Sequence, residues 1–166
     1  MTPLTSTLKD TGTVEVKKPS EREVVVSRVF NAPREVVFDA MTNPELVKQW
    51  HRLEVCEIDL RVGGAWRFVG RGIDGTLMTS RGVILALERP ERFAQTMETE
   101  AEEVAACADA GAAVATVLTE KPGQTVVTST LTYPSQEMRD AVIDDGFERG
   151  VTRRFDLLAR YLESVA

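Results

Sequence analysis

One long amphipathic stretch closes a sequence that otherwise reads as strands, and this pairing constrains the fold more than any other feature. After Ser135, a good N-cap, Met138, Val142, Phe147, Val151, Phe155, Leu158 and Leu162 recur at helical spacing up to Glu163. Gly146 and Gly150 fall inside the run. They either end a first helical segment near Asp145 or let the helix approach a neighbouring surface closely, since each costs about 1 kcal/mol against alanine. A sheet has a face to cover, and only this helix is long enough to cover it. The economical arrangement is a curved sheet gripping the C-terminal helix.

The strands are legible from their period. Residues 22–30 alternate, with Val24, Val26, Arg28 and Phe30 on one face, and their β-branched content favours extended chain. Further strands are expected at 53–60, 65–71, 76–88, 92–99, 114–119 and 125–133. Tight turns at 61–64, 72–75, 89–91 and 120–124 join most of them, so the sheet is antiparallel. Between the first strand and the second, Pro33 and Pro44 each open a short helix, over 33–41 and 44–50. Residues 100–113 fit either a loop with helical turns or a strand extension. Residues 1–20 read as a flexible tail, with room for a short strand at 12–17, and 21–166 as a single domain.

Composition excludes several functions. A net charge of −6 argues against a nucleic-acid partner, because a phosphate backbone requires a basic face. No apolar run approaches the ~20 residues of a membrane span, so no membrane insertion is expected. The first twenty residues lack the apolar core of a signal peptide, which makes a cytoplasmic location the expectation. Cys56 and Cys107 lie far apart, without a CxxC, and read as thiols in a reducing compartment. His51 is the single histidine and there is no Cys/His cluster, so no zinc site of the usual Cys/His type is expected; no metal and no cofactor enter the reading. Gly63-Gly64 lacks the Lys-Ser/Thr of a phosphate loop and reads as a turn.

Several ordered motifs resemble a known family. They are FNAPREVVFDAMTNPELVKQW (30–50), DLRVGGAWRF (59–68), GIDG, ALERPERF (86–93), a PGQT hairpin and the terminal amphipathic helix. Together they resemble activator-of-heat-shock-ATPase-like (AHSA-like) proteins, a branch of the START-related SRPBCC superfamily. The resemblance implies an α+β helix-grip fold, like that of the birch-pollen allergen. A seven-stranded antiparallel curved sheet would surround the long C-terminal helix, with two short helices after the first strand and a cavity between sheet and helix. The sequence departs from the pattern where His51 replaces a second bulky aromatic. It departs again where Phe147 and Val151 stand in place of tryptophans.

The residues expected to line such a cavity are Trp50, His51, Trp66, Phe68, Met78, Met97, Phe147, Val151 and Phe155. Each has a plainer reading beside the functional one. Trp50 is a gate or an anchor pinning its helix to the sheet. His51 is a proton donor or acceptor, or a helix-end histidine near the negative end of the dipole. Trp66 and Phe68 share a strand face by period two, as cavity wall or core. Met78 and Met97 line an irregular pocket or fill the core. Phe147, Val151 and Phe155 form the apolar stripe of the helix. Arg149, Arg153, Arg154 and Arg160 read as a solvated helix face, and Asp59 as a partner of Arg61.

The functional expectation is a small hydrophobic or amphipathic ligand held between sheet and C-terminal helix. The alternative is an enzyme of cyclase, dehydratase or hydrolase type using the same cavity, with His51 as the candidate catalytic residue. A co-chaperone stimulating a chaperone ATPase ranks third. The expected partner is a small apolar molecule, and a homodimer is left open.

Overall fold

The computed structural model describes residues 13–72, 75–101 and 111–165. Among the described residues eight strands form one antiparallel sheet in the order β1-β2-β8-β7-β6-β5-β4-β3. They are β1 (Glu15–Lys17), β2 (Glu23–Phe30), β3 (Leu53–Ile58), β4 (Ala65–Arg71), β5 (Leu77–Glu88), β6 (Arg92–Ala101), β7 (Ala112–Lys121) and β8 (Gln124–Thr132). Among the described residues four helices accompany them: α1 (Arg34–Thr42), α2 (Pro44–Trp50), α3 (Gln136–Asp144) and α4 (Phe147–Val165). The architecture is α+β and of helix-grip type.

The sheet has eight strands rather than seven. The extra one is β1, inside the stretch expected to be a tail, paired with β2 through Val16 and Val26. Val14 and Val16 pack against the core, which is enough apolar surface to hold a three-residue edge strand. β6 continues to Ala101 and β7 begins at Ala112. Most of the ambiguous stretch between them, with Cys107, lies outside the described residues, as does the centre of the expected Gly72–Gly75 turn.

Asn43 separates the two short helices. Its N–H donates to Asp39 O at 2.9 Å, ending α1, and its Oδ1 accepts from Glu45 N at 3.0 Å, opening α2. The following Pro44 disfavours helical backbone at Asn43, which is extended at φ −77°, ψ 119°. The C-terminal run is two helices. Ser135 caps α3, its Oγ accepting from Met138 N at 3.2 Å. Gly146 then takes φ +88°, a left-handed conformation that costs glycine little, and the chain restarts as α4.

The core lies between α4, α1 and the β2-β8-β7 region. Val24 and Val26 of β2, Val114 and Leu118 of β7, and Val127 and Leu131 of β8 face Val151, Phe155, Leu158 and Leu162 of α4. Phe155 meets Phe30 edge-on at 5.7 Å, and Phe38 of α1 meets Phe93 of β6 at 5.6 Å. Full burial of each such side chain contributes about 2–3 kcal/mol. Arg28 of β2 reaches α4 through a 2.7 Å ion pair with Asp156. Among the described residues no helix is long and apolar enough to cross a membrane.

Candidate functional site

The other half of the sheet is built differently. Strand register places Trp66, Phe68 and Gly70 of β4 opposite Gly82, Ser80 and Met78 of β5, and Ser80 opposite Thr99 of β6. Cross-strand partners share a face, and this one carries Met97, which packs against the core, so it is the inner face. Both glycines are covered by neighbours, Gly70 by the Leu53 side chain and Gly82 by the Trp66 indole and the Thr96 carbonyl, while Ser80 is small and half-buried. Phe68, Met78, Met97 and Thr99 remain half-buried, and so does Phe147 at the start of α4.

A ladder of four rings crosses the end of this face. Trp50 closes α2, is buried, and donates from Nε1 to Ala40 O at 2.7 Å. His51 stacks on it, with centroids 5.0 Å apart and planes at 21°. His51 meets Phe68 edge-on at 5.7 Å, and Phe68 meets Trp66 at 5.1 Å. Trp66 in turn donates from Nε1 to Thr96 O at 3.2 Å. The β5–β6 pairing skips Gly82 and Val83 at this point, and Val83 N donates instead to Thr96 Oγ1 at 2.9 Å. Only glycine fits at position 82, where a Cβ would run into the Thr96 carbonyl and the Trp66 indole.

The imidazole is electrically confined. His51 Nδ1 is buried and has no hydrogen-bond partner. Burial lowers the His51 pKa from 6.5 to about 3, helped by the positive charges of Arg154 and then Arg153. The ring is therefore neutral at physiological pH.

Arg154 corrects the expectation of a solvated helix face. It stands three residues after Val151 and four before Leu158, both buried, so the helix turns it into the inner stripe. Its guanidinium lies over the Phe155 ring at 5.1 Å, and burial lowers its pKa. Among the described residues it has neither a hydrogen bond nor an ion pair. The contrast with the fully buried arginines is sharp. Arg28 pairs with Asp156, while Arg139 pairs with Asp140 and donates to Ser20 O, both at 2.8 Å.

A family model described as Activator of Hsp90 ATPase homolog 1-like protein matches residues 31–163. The chain belongs to this family. No curated protein matches it. Similar solved structures include a protein from Rhodobacter sphaeroides, 21% identical, with a TM-score of 0.80 over 93% of this chain and 100% of that one. A second, from Mycobacterium smegmatis, is 21% identical with a TM-score of 0.78 and covers 93% and 100% of the two chains. A third, from Arthrobacter aurescens, is 17% identical with a TM-score of 0.76 and covers 93% of each. At these identities the likeness is one of fold.

Within this Activator of Hsp90 ATPase homolog 1-like fold, Trp50, His51, Trp66 and Phe68 come together in the ladder, with Met78 and Met97 on the same sheet face. Val151 and Phe155 are buried in the core instead, Phe155 completely. Two open grooves lie elsewhere. One of about 590 Å³ runs along the solvent side of α4 between Arg52 and Arg160. The other, of about 940 Å³, reaches Trp66 from Pro44, Cys56 and Val83. Neither lies under the inner stripe of α4. Gly150 is exposed, with nothing within 4 Å of a Cβ built there, so it is no point of close approach. Arg61 pairs with Asp59 at 2.9 Å. Among the described residues no cluster could hold a metal ion. Two polar groups of the inner face escaped the sequence reading: Arg154, and Gln95, whose buried Oε1 has no partner. The signal for both was position, in the helical stripe for Arg154 and in strand parity for Gln95.

Proposed function

We propose that this protein binds a small amphipathic molecule on the inner face of the β3–β6 half, between Phe68, Met78 and Met97 of the sheet and Phe147 of α4. The observation that carries this reading is the half-burial of those four side chains. The equivalent face of the other half is closed by Val24, Val26, Leu118 and Phe155. Apolar side chains aimed inward but still accessible offer surface to a ligand, worth about 25 cal/mol per Å² removed from water before ordering costs.

As a catalytic base His51 is poorly tuned. A pKa of about 3 leaves little driving force for taking a proton near neutrality. A binding role therefore has better support than a histidine-based reaction.

The test uses N-phenylnaphthylamine, an uncharged probe that brightens in apolar surroundings. The wild-type protein takes up one equivalent. Ser80→Phe fills the space between Phe68 and Thr99 and weakens binding at least tenfold while the unfolding midpoint is kept. Val117→Phe, on the exposed outer face, leaves binding unchanged. No uptake by wild type, or equal affinity in Ser80→Phe, overturns the reading.

A further inference from the structure

This inference rests on the binding reading above and specifies the chemistry of the ligand. A guanidinium withdrawn from water without an acceptor is costly, and burial normally brings a carboxylate or carbonyl with it. Arg28 and Arg139 follow that rule. Arg154, half-buried, has neither a carboxylate nor a carbonyl partner among the described residues, although its position between Val151 and Leu158 is one where an aliphatic side chain would be cheaper. Its guanidinium lies over the face of Phe155. The second unsatisfied group, His51 Nδ1, stands within reach of the Arg154 charge and abuts Phe68, a wall of the proposed cleft. A cation without an acceptor and an imidazole nitrogen without a partner thus border one apolar surface.

We infer that the cleft selects amphipathic molecules ending in an anionic group, a carboxylate or sulfonate. The anion sits on the Arg154 guanidinium, with His51 Nδ1–H as a second donor, and the apolar body lies against Phe68 and Met97. Arginine suits the task, because its planar fork meets two anionic oxygens at once. A neutral His51 can donate one N–H without adding a second full charge to a desolvated site.

The test pairs two probes with the same aromatic body, anilinonaphthalene sulfonate and uncharged N-phenylnaphthylamine. Their dissociation constants are measured by fluorescence titration on the full-length protein. The wild type binds the sulfonate at least about tenfold more tightly, as expected for a charge-assisted contact in a desolvated site. Arg154→Gln removes that preference and leaves the neutral probe within about twofold. Arg154→Lys restores part of it, and Arg160→Gln, in the exposed groove, changes neither constant. Circular dichroism establishes that each variant is folded. An unchanged sulfonate constant in Arg154→Gln overturns the inference, and so does an equal loss of both probes. In either case uptake of the neutral probe leaves the broader reading standing. Failure of the neutral probe alone overturns that broader reading, and with it the inference that rests on it. Failure of both probes on wild type removes both proposals.

Discussion

The two halves of the sheet carry similar numbers of strands and opposite kinds of inner surface. On the β1-β2-β8-β7 side, valine, leucine and phenylalanine meet α4 and are sealed, and the buried Arg28 is neutralised by Asp156. On the β3–β6 side, glycine and serine alternate with Phe68, Met78 and the buried Trp66, Phe68 and Met78 stay partly wet, and among the described residues Arg154 and His51 Nδ1 have no hydrogen-bond or ion-pair partner. One half is organised for stability. The other keeps unsatisfied groups at a cost in stability, as binding sites commonly do.

The largest expected effect tests that division directly. Phe155→Ala empties a sealed site and lowers the unfolding free energy by about 3–5 kcal/mol, whereas Phe68→Ala on the open half costs about 1 kcal/mol. Urea denaturation measures both, and equal losses would erase the distinction between the halves.

The next effect is a pH dependence. The folded pKa of His51, about 3, lies below its ordinary 6.5. Above pH 6.5 the ring is neutral in folded and unfolded chains alike, and its contribution is constant. As the pH falls from 6.5 toward 3, the unfolded chain takes up a proton that the folded one refuses. Stability then declines by on the order of 1 kcal/mol per pH unit. Denaturation midpoints at pH 7, 6 and 5 reveal the slope, and His51→Phe, which cannot titrate, flattens the part due to this ring. An identical slope in that variant would place the imidazole in water.

The smallest effect differs in sign between the halves. Arg154→Met replaces an unpaired cation with apolar volume and raises the unfolding free energy by about 1 kcal/mol. Arg28→Met breaks a bonded pair and lowers it by about the same amount. Thermal melts of the two variants moving in the same direction would contradict the assignment of Arg154 as unpaired.

Much of this division was legible in the sequence, for identifiable reasons. Alternation at 24, 26, 28 and 30 and the Asn-Pro break at 43–44 are local signals, and they gave β2 and the α1–α2 pair. Strand parity put Trp66 and Phe68 on one face. The contact between His51 and Phe68 joins residues far apart in the chain and depends on how α2 meets the sheet, which no local pattern encodes. β1 was allowed for as a short strand at 12–17 but left out of the sheet, because three residues within a polar segment carry too little periodicity to pair them with a partner. Arg154 was misjudged because its charge was weighed above its place in the stripe. A charged residue three after one core position and four before another is a better pointer to a site than charge alone.

Trp66 holds a junction in the sheet. Where β5 and β6 lapse at Gly82 and Val83, the indole supplies the donor that the Thr96 carbonyl receives. The same ring touches Phe68, so a ligand in the proposed cleft would meet the group that bridges three strands. Under the proposed binding, occupancy would act on this junction, and the emission of Trp50 and Trp66, the two tryptophans of the chain, would report it.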